Sequence, residues 1–381
     1  MFAMNKFIVI PDSFKGTMSS MEVCNIMKTT IKKHYPDGEV ITIPVADGGE
    51  GSVDAFLAAL GGKKVAVSTK GPYFQEQSAE YGIINQDTAI IETASCAGLP
   101  LVGDDKRPDE TTTYGVGQLI LHAAAHNCKK IIVGLGGSCT NDLGTGAASA
   151  VGIRFFNQKG NMFIPTGGTL SQISRIDASC INPLIHGVEI ISMCDIDNPL
   201  YGETGAASVF APQKGANEAL VQRLDQGLKD AAAVIHRDLG MDISTLPGAG
   251  AAGGFGGGMV AFFNAKLLMG IETVLDTVKF DSIAQDADLI ISGEGKFDSQ
   301  SLRGKVVVGV AHHAKALGIP LIAVVGDIGD HVEQAYQEGI SAIFSINRVA
   351  VDFRESKLRS RNDLMLTMDN LMRFIKRMRF L

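Results

Sequence analysis

The stretch Ala287-Asp288-Leu289-Ile290-Ile291-Ser292 opens directly into Gly293-Glu294-Gly295-Lys296-Phe297-Asp298. The apolar run lacks the polar alternation of a half-solvated strand, so it reads as a strand buried on both faces of a parallel sheet. Moving outward toward the C-terminus, a helix carrying Val306, Val307, Val310, Ala314 and Leu317 follows and is stopped by Gly318. Pro320 to Val325 is a strand ending at Gly326-Asp327, and Ala342 to Ile346 is one more. The last helix packs through Leu364, Met368, Leu371 and Ile375, and its basic end (Arg373, Lys376, Arg377, Arg379) suits a helix C-terminus. The same strand-loop-helix pattern begins the chain. Residues 6–10 form an apolar strand before Pro11-Asp12-Ser13-Phe14-Lys15-Gly16, and a helix starts at Ser19 with Glu22 at capping-box spacing. A second strand, 40–45, leads into Ala46-Asp47-Gly48-Gly49-Glu50-Gly51 and a helix with Val53, Phe56, Leu57 and Leu60 on one face, ending at Gly61.

Two strands at the start and three at the end, joined by helices, predict one five-stranded α/β domain: a doubly wound, parallel, flavodoxin-like sheet from residues 1–64 plus 286–381. Residues 65–285 are then a mixed α/β domain inserted into it, with the active site expected in the cleft between the two. Within the insertion, 65–95 alternates and turns like antiparallel strands, 112–127 and 217–239 are helical, and 131–133 and 189–194 are buried strands. Between the 131–133 strand and the small residues 144–151 lies Gly134-Leu135-Gly136-Gly137-Ser138-Cys139-Thr140-Asn141-Asp142. It reads either as an anion cradle with a carboxylate for a metal, or as a strand-to-helix turn capped by Thr or Asn.

Composition narrows the function class. A chain of 381 residues with 45% hydrophobic content suggests two folded domains, and a net charge of -7 argues against nucleic acid or an anionic membrane as partner. Six cysteines (24, 96, 128, 139, 180, 194) show no paired spacing, as expected of reduced thiols in a cytoplasmic protein. No targeting segment or membrane-length apolar run is visible.

Ligands of doubly wound sheets bind at the carboxyl ends of the strands. There this chain gathers Asp, Glu and Lys in PDSFKG, ADGGEG, GEGKFDSQ and Gly326-Asp327. Turns need Gly or Asp, but they do not need acids and lysines together at several strand ends. The set points to phosphate and magnesium, with carboxylates for the metal and lysines with N–H groups for phosphate oxygens. The eight histidines lack zinc spacing, and His312-His313 sit in a helix. Three look-alikes fail. Gly248-Ala249-Gly250-Ala251-Ala252-Gly253 has no strand before it, His236-Arg237-Asp238-Leu239 lacks the rest of a protein-kinase set, and Gly304-Lys305 has no Walker A glycine upstream.

PDSFKG, PVADGGEG, GLGGSCTND, CDIDNP and GEGKFDSQSLRGK, in this order along nearly the whole chain, closely resemble the type-1 glycerate kinase family. The resemblance implies ATP-dependent phosphorylation of D-glycerate, at its 2-hydroxyl in preference to its 3-hydroxyl, with ATP and Mg²⁺ required, and two domains of which one is inserted in the other. The alternatives are a kinase for another small hydroxy acid and a non-catalytic carboxylate sensor on the same fold. Roles are then assigned by chemistry. Asp195 is the expected base, with Lys15 and Asp12 also catalytic. Lys15, Lys296, Ser13, Gly136, Gly137, Ser138 and Asn141 are expected on ATP phosphates. Arg303 or Lys305 pairs with the substrate carboxylate, with Asn198 also on substrate, and Asp47, Glu50 and Glu294 are the metal candidates. D-glycerate and ATP are the expected partners, and a homodimer stays open.

Overall fold

The structure is a computed structural model of the 381-residue chain and describes residues 4–46, 48–299 and 301–378. It divides into two compact units: Met1–Asp47 with Ala58–Leu60 and Met269–Leu381, and Gly48–Leu57 with Gly61–Leu268.

The first unit holds a five-stranded sheet in the order Ile340–Ser345, Leu321–Val325, Leu289–Gly293, Lys6–Pro11, Glu39–Thr42. All its pairings are parallel, with Phe7 beside Leu289 and Pro11 beside Gly293. Read from the other edge this is the flavodoxin order, in which the first strand of the chain lies inside the sheet. Phe7, Val9, Leu289, Ile291 and Val324 pack against Val23, Met27 and Ile31 of the helix Ser20–His34 and against Leu364, Met368 and Leu371 of Phe353–Met378. Ile8, Ile10 and Ile290, on the opposite face, are equally buried. Burial on both faces is why these strands carry uninterrupted apolar runs. The Ser19–Glu22 capping box forms, with Glu22 N–H donating to Ser19 Oγ at 3.3 Å and Ser19 N–H to Glu22 Oε2 at 2.9 Å. Leu317 departs from its expected core position. It is 37% exposed in the last turn before the Gly318 cap.

The second unit is built on a six-stranded mixed sheet. Lys266–Leu268, Glu189–Met193, Lys130–Gly134 and Thr88–Glu92 run parallel, and Glu76–Ile84 and Lys63–Lys70 add antiparallel. A three-stranded antiparallel sheet (Met162–Phe163, Arg154–Asn157, Ile173–Asp177) stands apart from it. The compact units divide near 47/48 and 268/269, whereas the sequence pattern suggests 64/65 and 285/286. The physical reason lies in two segments. Val53, in the helix Ser52–Leu60, donates its N–H to Glu92 at 2.8 Å, and its side chain fills the space above Gly82. The helix Gly270–Val278 packs Ile271 against Gly309 of Val306–Leu317. Among the described residues no helix is long and apolar enough to cross a membrane, and all six cysteines are free.

Candidate active site

In the first unit, three loops leave the carboxyl ends of adjacent strands and are tied to one another. Asp12 N–H donates to Gly293 O at 2.8 Å, Gly326 N–H to Glu294 O at 3.0 Å, and Asp327 N–H to Gly295 O at 3.1 Å. Lys296 and Phe297 form a short parallel ladder with Asp327 and Ile328. The expected residues Asp12, Ser13, Lys15, Glu294, Lys296 and Lys305 thus fall on one edge of one sheet. Asp12 is half-buried and accepts the Ser13 N–H at 2.6 Å. Lys15 is exposed, and Lys296 is exposed with its amine 3.6 Å from Asp298. Lys305 precedes the helix Val306–Leu317. The backbone of Arg303 lies in the turn Ser301–Arg303, and its side chain and the whole of Asp47 lie outside the described residues.

Glu294 is the unusual acid of this edge. It is 5% exposed, and its Oε1 has no hydrogen-bond partner among the described residues. Burial pushes its pKa up to about 7; a hydrogen bond from Ser301 opposes the shift, and the negative charges of Asp12 and Asp298 add to it. A desolvated oxygen with other carboxylates close by suits a hard divalent cation, which takes one or two carboxylates and leaves the rest to phosphate and water. Glu50, the other described metal candidate, is an exposed carboxylate on the second unit.

In the second unit the strands Lys130–Gly134 and Glu189–Met193 end level, with Gly134 beside Met193. Gly136 N–H donates to Gly48 O at 2.9 Å, and a Cβ at position 136 would stand 2.6 Å from Gly49 Cα, so only glycine admits this approach. The loop is fastened further on. Leu99 N–H donates to Gly137 O at 2.9 Å, Cys139 N–H to Ala97 O at 2.8 Å, and Leu143 N–H to Gly253 O at 3.2 Å. The amides of Gly136 and Cys139 are therefore engaged within the protein, and polar side chains follow on the same loop.

Those side chains divide sharply. Asp142, fully buried, accepts from Thr113 N–H and Thr113 Oγ1, both at 2.8 Å, from Gly144 N–H at 3.1 Å and from Gly146 N–H at 3.3 Å. Burial raises its pKa and the Thr113 bonds oppose the rise. It satisfies the start of the helix Thr145–Ala150, whose N-cap position is Gly144 with no side-chain bond of its own. This corrects the metal part of one reading and the capping residue of the other: the carboxylate is held by four protein donors instead of offering itself to a metal, and the acid does the capping expected of Thr or Asn. By contrast, Thr140 Oγ1 and both amide atoms of Asn141 are buried with no partner among the described residues. Beside them Lys214 is 3% exposed; its amine donates to Ser138 Oγ at 2.9 Å and to Thr140 O at 2.7 Å. Burial lowers its pKa to about 8, against the pull of Cys139 and Asp142.

Asp195 follows the strand Glu189–Met193 and is half-buried. Asn198 donates from its side-chain amide to Thr204 O at 2.8 Å, while its backbone carbonyl accepts Gly250 N–H at 3.0 Å. The glycine-rich 247–258 stretch thus links Asn198 to Thr140 and Asn141, where a Cβ on Gly253 would come within 2.0 Å of Thr140 O. No strand precedes it, so the dinucleotide fingerprint fails on structure as well as on sequence. His236–Leu239 closes the helix Glu218–Leu239, with Asp238 accepting Ile176 N–H at 2.8 Å.

Residues 7–376 match the sequence model of the glycerate kinase family. The chain belongs to the glycerate kinase family. A glycerate kinase of Halalkalibacterium halodurans is 43% identical, over 90% of this chain and 91% of its own. The glycerate 2-kinase of Escherichia coli K12 is 41% identical, over 90% of each. A crystal structure from Salmonella typhimurium LT2, provisionally named glycerate kinase 2, superposes with a TM-score of 0.88 at 36% identity, covering 100% of both chains. As a glycerate kinase family member the protein is a kinase, which is consistent with ATP as co-substrate. Sequence reading overlooked Lys214, Thr113 and Glu92. Pro212-Gln213-Lys214-Gly215 looks like a surface turn, and only tertiary packing turns its lysine inward.

Proposed function

We propose that this glycerate kinase family member transfers the γ-phosphoryl group of ATP to the 2-hydroxyl of D-glycerate, forming 2-phosphoglycerate and ADP in glycerate catabolism. The family match from residue 7 to 376 carries the reading, and the name of the Escherichia coli relative favours the 2-position. Phosphoryl transfer needs little covalent help from a protein and depends on positioning and charge. Lys15 and Lys296 place ammonium groups toward phosphate, with Asp12 and Ser13 ordering the same turn. Gly136 lets the loop lie against Gly48 and Gly49, Gly137 offers the close backbone approach, and Ser138 and Asn141 offer the hydroxyl and amide groups. Asp195 accepts the proton of the attacking hydroxyl. Arg303 or Lys305 holds the substrate carboxylate, and Asn198 orients the substrate.

Among the described residues no three acids or other metal-ligating side chains cluster, so a magnesium ion would rest on one or two carboxylates with phosphate and water completing its shell. The Oε1 of Glu294, without a partner among those residues, supports Glu294 as one of them, with Glu50 and Asp47 as the other candidates. When bound, such an ion neutralises phosphate oxygens as charge shifts toward the leaving group. The test is direct: purified protein with ATP, Mg²⁺ and D-glycerate, followed by phosphorus NMR, gives a 2-phosphoglycerate signal. A 3-phosphoglycerate signal would reassign the attacked oxygen, and no ATP-dependent product would reject the substrate. Asp195→Asn lowers kcat by about 100-fold or more if the carboxylate is the base. Unchanged turnover removes it from that role.

A further inference from the structure

We propose that Lys214 supplies the positive charge of an oxyanion receptor in the second unit, acting through the hydroxyl of Ser138 and alongside Asn141. The proposal deepens the assignment of Ser138 and Asn141 made above and rests on that reading. Three observations carry it.

First, the Lys214 ammonium is buried and neither of its bonds is to a carboxylate. The nearest acid that influences it, Asp142, has its oxygens taken by Thr113, Gly144 and Gly146. Lys214 thus makes no direct ion pair among the described residues: Asp142 acts on it only through space, and the desolvation cost left over is relieved when a negatively charged group arrives. Second, Ser138 Oγ accepts a hydrogen from Lys214, so its own proton is turned away from the lysine. The ammonium polarises this hydroxyl and makes it a stronger donor. Third, the amide of Asn141 and the hydroxyl of Thr140, in the same loop, are buried with no partner among the described residues. Unmade bonds at fully buried groups destabilise the folded chain unless another molecule completes them. Gly137, next to Ser138 in the chain, is the exposed residue of this loop.

The chemistry recognised is an oxyanion, available from either substrate: a phosphate of ATP or the carboxylate of D-glycerate. Lys214 is a positioning residue in this scheme, since Ser138 stands between it and the ligand. The experiment compares wild type, Lys214→Met, Ser138→Ala and the double variant as full-length proteins. Steady-state kinetics are run against each substrate, and calorimetry uses inorganic phosphate, ATP and D-glycerate as probes.

The expected result is a KM raised about ten-fold or more for one substrate only, in both single variants, with the double variant no worse than Lys214→Met. A change in the KM for ATP with loss of phosphate binding identifies a phosphate site. A change in the KM for D-glycerate with loss of glycerate binding identifies a carboxylate site. Unchanged KM values in folded single variants, or additive effects in the double variant, overturn the proposal. Should Lys214→Met fail to fold, Ser138→Ala retains the lysine and carries the test alone. If wild type turns over no D-glycerate, the function reading fails separately. Calorimetry then decides: weaker binding of phosphate, ATP or D-glycerate to Ser138→Ala supports the receptor, and equal or absent binding to wild type and variant rejects it.

Discussion

Asp142 and Glu294 are both buried acids, yet their surroundings give them opposite parts. Asp142 has four donors, so its loss strands them in the interior. Asp142→Ala is expected to destabilise the protein by roughly 3–5 kcal/mol, read from urea unfolding. A variant as stable as wild type would show that water replaces the carboxylate. Glu294 has an open oxygen and a pKa raised from 4.5 to about 7. Between those pH values the folded chain keeps a proton that the unfolded chain has released, so raising the pH through this window lowers stability. The loss reaches on the order of 3 kcal/mol for a group this buried. Glu294→Gln cannot ionise and lacks that slope. Unfolding midpoints from pH 4.5 to 7.5 in metal-free buffer check this, and parallel profiles for the two proteins would refute it. The presence of an acid at each position was legible in the sequence. Which acid was already satisfied was not, because Thr113, which supplies two of Asp142's donors, comes from a segment with no motif.

At the scale of elements, the helices Ser20–His34 and Phe353–Met378 are held together by polar ties besides their apolar faces: Arg361 pairs with Glu22 at 2.7 Å, and Asp369 gathers three cations. Asp369 Oδ1 lies 2.8 Å from both Lys33 Nζ and His34 Nε2, and Asp369 Oδ2 lies 3.1 Å from Arg373 Nε. The Lys33 hydrogen bond, then that of His34, holds its pKa far below the usual carboxylate range. A depressed carboxylate stabilises fully above its unfolded pKa and loses that contribution progressively as pH falls from there through its lower folded pKa. Asp369→Asn therefore lowers the melting temperature at pH 7, and its gap to wild type narrows as acid is added below about pH 4. A gap independent of pH would assign the effect to packing. The helices themselves were readable from Ser19, Glu22 and the spacing of Leu364, Met368 and Leu371. Their partnership was not, since Lys33 and Asp369 are far apart in the chain and neither marks the other.

For the molecule as a whole, the order of strands makes the two units unequal as fragments. Every strand of the six-stranded sheet lies between Lys63 and Leu268, so a fragment of residues 48–268 contains its whole sheet and its own core. It is expected to fold alone, with cooperative thermal unfolding by circular dichroism. The five-stranded sheet pairs Lys6–Pro11 with Leu289–Gly293 at its centre, so residues 1–47 and 269–381 expressed separately are each expected to be unfolded. A folded 269–381 fragment, or an unfolded 48–268 fragment, would show that the compact units are not the folding units.

The sequence by itself determined the parallel five-stranded sheet and the motifs that mark the family, because these rest on local signals: uninterrupted apolar runs, caps and glycine-rich loops at strand ends. It also placed acids and lysines at the carboxyl ends of those strands, since the alternation of strand and helix dictates which loops share an edge. Only the tertiary structure decided what each polar group faces. It assigned Asp142 to the start of a helix, left Glu294 Oε1 and the Asn141 amide without a partner among the described residues, and buried Lys214 against Ser138. The physical reason is that burial and hydrogen-bond partnership are made by residues tens to hundreds of positions apart, and no local pattern records them.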